Sequence, residues 1–222
     1  MLIVSICLMA FACAREDPPP EQGQSSAAAA IASPQTIRDA KCVVLLHGKG
    51  GAAQASTVAG DLRYLRPGGN GEGWGGREWR YFPEDRYQEV QTSIADALDR
   101  GGCARAVIQG FSNGAAAAAK LYCRGEDFEG RVIGYLLDDP VPDQGVAGCR
   151  PRAGVRIRLY STGALSVAAD GWSCATQDWT CEGGRTIGIE RYARELGTDV
   201  ARSIHTTHTE YATPPEVGEW LR

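Results

Sequence analysis

The sequence predicts an α/β fold, with a mainly parallel central sheet of about five or six strands and helices on both faces. Two observations support this prediction. Short runs of β-branched and aliphatic residues, typical of buried strands, alternate with segments of helical periodicity. Strands that alternate with helices pair in parallel through crossover connections. In addition, several reactive side chains follow directly after predicted strands, at the edge where such sheets bind ligands.

The chain has 222 residues, of which 43% are hydrophobic, and this suits one domain with a sizeable core. Its formal net charge is −4, and its basic residues are scattered along the chain. A nucleic-acid-binding surface needs clustered Lys and Arg, so the composition argues against a nucleic-acid partner. The absence of any C-x-x-C spacing argues against a zinc site, and we expect neither a metal nor a cofactor.

The N-terminal residues are expected to lie outside the folded domain, which we place at 37–222. Residues 1–12 form an apolar run that is too short to span a bilayer and ends in Ala-Phe-Ala, as in a secretory signal peptide, although no Lys or Arg precedes it. Residues 13–36 are rich in Pro, Gln, Ser and Ala and predict a flexible tether. Cys13 resembles a bacterial lipidation site, so free secretion and lipid anchoring are equal alternatives.

The cysteine content agrees with export. The chain has eight cysteines, and removal of Cys7 and Cys13 with the signal and lipidation site leaves six. An even number in an exported chain indicates three disulfides formed in an oxidising compartment. The six are Cys42, Cys103, Cys123, Cys149, Cys174 and Cys181.

The predicted elements alternate along the domain. A buried strand at 41–46 runs into a glycine-rich loop at 47–51, and a helix at about 52–65 is expected to complete this unit. Apolar residues in 87–100 have the spacing of a helix with one buried face. Further strands are predicted at 106–111, 131–137, 155–160 and 200–204, and further helices at 115–123, 189–196 and 215–221.

The segment 66–83 contains too much glycine for regular structure and predicts a long loop. Its aromatic residues Trp74, Trp79 and Tyr81 have two interpretations that the sequence leaves open. They form a stacking surface for a substrate, or they pin the loop to the body of the domain.

The pentapeptide Gly-Phe-Ser-Asn-Gly at 110–114 lies between a predicted strand and an alanine-rich helix and matches G-x-S-x-G. In this context a strained turn exposes a serine nucleophile above the sheet. Gly110 and Gly114 are needed because side chains two residues to either side of the serine would collide with neighbouring backbone. The pattern therefore predicts Ser112 as a nucleophile, with the Asn113 backbone N–H at the helix N-terminus available to an oxyanion.

Together these features resemble the α/β-hydrolase superfamily, in particular its small, secreted, lid-poor esterases of the cutinase and carboxylesterase kind. The resemblance covers roughly residues 41–222 and rests on the strand and His-Gly-x-Gly loop at 45–50, the G-x-S-x-G motif and the order Ser, Asp, His along the chain. It implies that the backbone N–H groups of Lys49 and Asn113 form the oxyanion hole. His47 is then structural.

The resemblance also implies a catalytic base after the last strand, where the chain offers His205 and His208. We choose His208, since it lies on the loop before the terminal helix, whereas His205 still belongs to the strand pattern. For the acid we choose Asp170, which follows the strand at 155–160 at an unusually long distance. Two alternatives, Asp138 and Asp139, follow the preceding strand, and Asp178 is a remote third choice.

Two departures from larger family members indicate a reduced α/β-hydrolase fold without a cap domain. The short segment before Lys41 leaves no room for extra N-terminal antiparallel strands, and only fifteen residues, 140–154, lie where other members insert a cap. The family arrangement of strands further implies three disulfide pairs, which are Cys42–Cys103, Cys123–Cys149 and Cys174–Cys181.

The sequence thus leads to the hypothesis of a secreted or lipid-anchored serine esterase that works through an acyl-enzyme. Its partner is expected to be a small-molecule or polymeric ester, and it is expected to contact a membrane only through lipid on Cys13. The alternatives are a catalytically silent binding or cell-surface protein on the same scaffold, or a related thioesterase, acyltransferase or peptidase.

Overall fold

The computed structural model describes residues 39–164, 169–212 and 214–222, which belong to one compact unit. The predicted signal peptide, Cys13 and the tether lie outside the described residues. The strands of the described part are β1 Ala40–Leu46, β2 Gln54–Ala59, β3 Leu62–Arg66, β4 Gly71–Gly73, β5 Gly76–Glu78, β6 Cys103–Phe111, β7 Val132–Asp138, β8 Arg156–Ser161, β9 Asp170–Ser173, β10 Arg185–Ile187 and β11 Val200–Arg202. Its helices are α1 Glu84–Arg100, α2 Asn113–Cys123, α3 Ile189–Leu196 and α4 Pro215–Trp220.

The central sheet has seven strands in the order β11-β8-β7-β6-β1-β3-β2. All neighbours pair in parallel except the edge strand β2, which runs antiparallel to β3. The prediction of a mainly parallel sheet is confirmed, with one or two strands more than expected. Because β6 lies between β1 and β7, the loops that follow these three strands meet at one edge of the sheet.

The predicted helix at 52–65 is wrong, because this segment forms the hairpin β2–β3. Ala59 pairs with Leu62, so Gly60 and Asp61 make a two-residue turn, and Gly60 has a positive φ of 62°. A Gly-Asp pair between runs containing β-branched or alternating apolar residues is typical of hairpins. The hairpin supplies the two strands β2 and β3, which were not among the predicted strands.

Helices cover both faces of the sheet, as predicted, but to different extents. Residues of α1, α2 and α3 join the larger core, whereas α4 covers the opposite face with Val217 and Trp220 against Val43, Val107 and Leu136. The alanine run of α2 is at most 2% exposed. Small side chains allow this helix to approach the sheet closely, which holds its N-terminus firmly behind Ser112.

No cap domain interrupts the described fold, which confirms that prediction. Residues 140–154 contain only a single 3₁₀ turn, Gln144–Val146. No helix among the described residues has the length and apolar character needed to cross a membrane.

The structure contains the three disulfides that the resemblance implies. Cys42–Cys103 joins the starts of the neighbouring strands β1 and β6, Cys123–Cys149 ties the end of α2 to the 140–154 segment, and Cys174–Cys181 closes the loop after β9. Three disulfides in one small domain are typical of proteins that fold in an oxidising compartment.

Candidate active site

Ser112 lies on a sharp turn between β6 and α2, with φ of 54° and ψ of −117°. This strained conformation is held from both sides. A Cβ on Gly110 would overlap the carbonyl oxygen of Gly114, and a Cβ on Gly114 would overlap that of Leu46. Both glycines are therefore required by close backbone approach, which is the steric reason for the G-x-S-x-G spacing.

Asn113, the first residue of α2, and Lys49, in the loop after β1, line the same cavity as Ser112. Their backbone N–H groups are the predicted oxyanion donors. The loop after β1 is close to the serine, since a Cβ on Gly48 would lie 3.3 Å from Ser112 Cβ. Within the described part of the chain neither N–H donates a hydrogen bond, so both are available to a negatively charged oxygen.

His208 lines this cavity from the loop after β11, and its ring stacks on Phe111 with 4.6 Å between centroids. Its Nδ1 lies 2.6 Å from Oδ2 of Asp139, so Nδ1–H donates to the carboxylate and Nε2 is left to accept a proton. In the described residues no hydrogen bond joins the Ser112 hydroxyl to the imidazole. Such bonds are often long in a site without substrate.

Asp139 is only 3% exposed and is surrounded by hydrogen-bond donors. Besides His208, the backbone N–H of Thr162 donates to Oδ1 at 3.0 Å and its hydroxyl donates to Oδ2 at 2.7 Å. Burial raises the pKa of this carboxyl, but the hydrogen bonds from His208 and Thr162 together outweigh burial and hold the pKa below its usual value. The group is therefore an ionised carboxylate that orients the imidazole.

The choice of Asp170 as the acid is corrected by this geometry. Asp170 is exposed, pairs with Ile187 in the separate two-stranded β9–β10 sheet, and does not line the cavity. The alternative Asp139 has the required position, because it follows β7 next to Thr162 at the end of β8. Asp138, the other alternative, is buried and accepts a hydrogen bond from the Tyr211 backbone N–H, away from the cavity lining.

The other two histidines have structural environments. His205 packs edge-on against Tyr211 and does not line the cavity. His47 Nδ1 donates to the Gly48 carbonyl oxygen at 2.7 Å, and its Nε2 accepts from the Gly69 N–H at 3.0 Å. Burial lowers the pKa of His47 and keeps it neutral, so this ring buttresses the loop that carries Lys49.

The three aromatic residues of 66–83 divide between the two interpretations. Trp79 and Tyr81 are 0% exposed, and Tyr81 donates to the buried Asp143 at 2.6 Å, so both pin the segment to the core and are not a substrate surface. Trp74 is 57% exposed and lines the cavity. This segment also contains the small hairpin β4–β5, which the glycine content hid.

The cavity at Ser112 is small and mostly apolar, with a volume of about 120 Å³. Its far wall comes from the disulfide-closed loop, through Trp179 and Thr180, and Trp179 contacts Trp74 edge-on at 6.1 Å. The lining residues are Gly48, Lys49, Trp74, Phe111, Ser112, Asn113, Val141, Trp179, Thr180 and His208.

The strained serine turn on the central strand of a parallel sheet, with Asp139 and His208 following in that chain order, decides the fold. It is an α/β-hydrolase fold. In this fold the functional residues come from loops that follow different strands, and Ser112, Asp139 and His208 likewise follow β6, β7 and β11.

Comparisons with known proteins give matches among solved structures alone. No protein-family model matches the chain, and no curated protein matches it. A carboxylesterase from Bacillus cereus is similar at 19% identity, over 84% of this chain and 89% of that one, with a TM-score of 0.48. A carboxylesterase from Mesorhizobium loti is 19% identical over 84% of this chain and 90% of that one, with a TM-score of 0.48. A protein of unknown function from Agrobacterium tumefaciens is 16% identical over 83% of this chain and 90% of that one, with a TM-score of 0.49.

Sequence reasoning did not find Thr162 or Trp179. Thr162 directly follows β8, which is the neighbour of β7, the strand before Asp139. A hydroxyl donor at this position was the available signal in the sequence. Trp179 lies between Cys174 and Cys181. A disulfide restrains a short loop, so an aromatic residue inside it is expected to have a fixed position. The sequence does not show which part of the fold this residue contacts.

Proposed function

We propose that the chain is a serine hydrolase that cleaves carboxylic esters through an acyl-enzyme, exported and either free or lipid-anchored at Cys13. One observation carries the proposal. A strained serine, an imidazole held by an ionised carboxylate, and two residues whose backbone N–H groups have no acceptor among the described residues all line one cavity. These are the groups that acyl transfer needs.

The proposed reaction begins when Ser112 Oγ attacks the ester carbonyl carbon and His208 Nε2 takes the hydroxyl proton. The oxyanion that forms is stabilised by the N–H groups of Lys49 and Asn113. Collapse of this intermediate breaks the bond to the alcohol, which leaves with the proton from His208. A water molecule then attacks the acyl-enzyme with His208 as base, and the carboxylic acid and free Ser112 result. Asp139 stays ionised throughout and orients the imidazole.

The cavity indicates a small, uncharged group at the reacting carbonyl. Its volume of about 120 Å³ is somewhat below the ~150 Å³ of a cavity that holds benzene. Its walls are mainly Phe111, Val141, Trp74 and Trp179, which offer little to a charged group. We therefore expect short or compact acyl groups to be preferred, with the rest of a larger ester lying outside, where no cap encloses it.

The test is hydrolysis of a series of p-nitrophenyl esters of increasing acyl length by the wild-type protein and by Ser112→Ala. We expect wild-type turnover that is highest for short acyl groups and no turnover above background with Ser112→Ala. Equal rates for the two proteins would contradict the enzyme hypothesis and favour a silent binding protein on the same scaffold.

A further inference from the structure

The end of β5 and the residue that follows it, together 77–79, contact the segments that carry both oxyanion donors. The backbone of Arg77 pairs with the loop after β1, since its N–H donates to the Gly51 carbonyl at 2.6 Å and its carbonyl accepts from the Gly50 N–H at 2.8 Å. A Cβ on Gly76 would overlap the carbonyl oxygen of Gly50. The two backbones are therefore as close as they can be.

The next residue, Glu78, pairs with the side chain of Lys49, whose ammonium also donates to the Asp178 carbonyl. Glu78 Oε2 lies 3.3 Å from Lys49 Nζ, and these two side chains are only 5% and 9% exposed. Thr180 donates to the same oxygen at 2.8 Å, and Arg80 Nε donates to Oε1 at 2.9 Å. Buried charged groups are stable only while they stay paired, so these contacts restrain the Lys49 side chain. Because Glu78 Oε2 contacts both Lys49 and Thr180, it links Lys49 to the cavity wall.

The third residue, Trp79, holds the other donor. Its backbone N–H donates to Asn113 Oδ1 at 2.6 Å, and its carbonyl accepts from Asn113 Nδ2 at 3.1 Å. The Asn113 carboxamide thus pairs with both the backbone N–H and the backbone carbonyl of Trp79. Asn113 itself is only 3% exposed. Asn113 is the first residue of α2, and it lines the cavity together with Lys49.

We propose that residues 77–79 set the spacing between the two oxyanion donors, and that the side chains of Asn113 and Glu78 are positioning residues for this purpose. The inference rests on the proposed function. Oxyanion stabilisation depends on N–H groups held at 2.7–3.1 Å from the oxygen as its charge develops. A single short segment that grips both donor segments fixes their separation more tightly than α2 and the β1 loop do alone. Neither side chain contacts the reacting atoms.

Loss of either grip should lower kcat more than it raises KM, because the donors act on the transition state and little on the bound ester. For Asn113→Ala we expect kcat to fall about 10- to 100-fold, less than the full loss of a donor. Asn113→Ser, which keeps one acceptor for the Trp79 N–H, and Glu78→Gln, which keeps the shape but not the charge, should show smaller decreases.

The experiment measures kcat, KM and Tm of these variants with p-nitrophenyl acetate, together with the inhibition constant of a boronic acid that forms a tetrahedral adduct with Ser112. Tyr135→Phe is the matched control, since it removes a part-buried hydrogen bond to the Glu126 carbonyl at 2.7 Å, and neither residue lines the cavity. We expect the boronic acid to bind more weakly in proportion to the loss of kcat, while Tyr135→Phe changes only Tm.

Three results would overturn the positioning role. These are unchanged kcat in Asn113→Ser and Glu78→Gln, a loss of kcat without weaker boronic acid binding, or the same kinetic loss in Tyr135→Phe. Ser112→Ala, measured alongside, separates the two levels of inference. If Ser112→Ala is inactive and the positioning variants are as active as wild type, the proposed function stands and this inference fails.

Discussion

Asp139 occupies an uncommon backbone conformation, with a positive φ of 46°. Aspartate is one of the few residues that tolerate this left-handed region. Its N–H donates to the Tyr160 carbonyl of β8 at 2.9 Å, so the turn after β7 is tied to the neighbouring strand. This places the carboxylate against Thr162 and His208, where Asp170 does not reach.

Replacement of Asp139 tests this assignment most sharply when it is compared with Asp170. In Asp139→Asn the amide cannot stabilise the protonated imidazole, and we expect kcat to fall by about 10³ to 10⁴ with little change in KM. Asp170→Asn, an exposed substitution of the same kind, should retain wild-type kcat. Steady-state hydrolysis of a short-chain p-nitrophenyl ester measures both, and the reverse order of effects would contradict the choice of Asp139.

The two histidines after β11 allow an equally direct comparison. His208→Ala removes the proposed base and should lower kcat by several orders of magnitude. His205→Ala removes a ring that contacts Tyr211 outside the cavity and should lower kcat less than about tenfold. Hydrolysis of the same ester at pH 8 measures the effects, and an inactive His205→Ala beside an active His208→Ala would contradict the assignment.

Asp138 predicts a pH effect on stability. Burial raises its pKa from 3.8 to about 6, the charges of Asp139 and Glu210 add to this, and the Tyr211 N–H and His205 oppose it. The folded protein therefore keeps the proton up to about pH 6, whereas the unfolded chain releases it near pH 4. This group makes the free energy of unfolding decline as pH rises between these values.

We expect Asp138→Asn to remove that decline. The difference in unfolding free energy between the variant and the wild type should shift in favour of the variant by at most about 3 kcal/mol between pH 4 and pH 6.5. Urea denaturation at several pH values measures it. A difference that is constant with pH would show that Asp138 titrates alike in the folded and unfolded chains.

The sequence was sufficient to predict Ser112 and its glycines as a group, because their chemistry is local and steric. It did not distinguish Asp139 from Asp170. Both follow strands. Which of them contacts His208 depends on hydrogen bonds between β7, β8 and the loop after β11, and the spacing of residues along the sequence does not reveal these bonds. Trp79 and Tyr81 were ambiguous for the same reason, since burial of a loop aromatic is decided by tertiary packing.

At the scale of elements, each disulfide ties a different part of the fold. Cys42–Cys103 spans a separation of 61 residues and links two central strands, whereas Cys174–Cys181 spans 7 residues and closes the loop that carries Trp179 and Thr180. The first pair therefore constrains the unfolded chain more strongly. The second shapes one wall of the cavity.

Removal of these disulfides should separate stability from substrate binding. The double replacement of Cys42 and Cys103 by alanine should lower the free energy of unfolding by about 4 kcal/mol, and that of Cys174 and Cys181 by about 2 kcal/mol. Only the second should raise KM for a short-chain ester, because it loosens the Trp179 wall. Denaturation curves and steady-state kinetics measure the two effects, and an unchanged KM in the second variant would contradict the role of the loop.

The prediction of elements succeeded where a pattern was long or had a single interpretation. The helix at 87–100 and the central strands were predicted within a few residues, since their periodicity covers many positions. The segment 52–65 was mistaken for a helix because short apolar spacing does not distinguish helix from strand. Its Gly60-Asp61 turn was the stronger signal.

At the scale of the whole molecule, the parallel sheet brings distant parts of the sequence to one edge. The loops after β1, β6, β7 and β11 supply Lys49, Ser112, Asp139 and His208, and the hairpin β4–β5 and the disulfide-closed loop complete the cavity. A mainly parallel order was predictable from the alternation of elements. The contributions of the β4–β5 hairpin and the disulfide-closed loop were not predictable, because these segments contact the site through side chains rather than through strand pairing.

The central claim is that Ser112 is a nucleophile activated by His208 and Asp139. It is tested most directly by reaction with a fluorophosphonate, followed by intact mass measurement and peptide mapping of the wild type and Ser112→Ala. We predict one adduct per wild-type chain, located on Ser112, and none on Ser112→Ala. An unlabelled wild type, or a label on another residue that persists in Ser112→Ala, would contradict the claim.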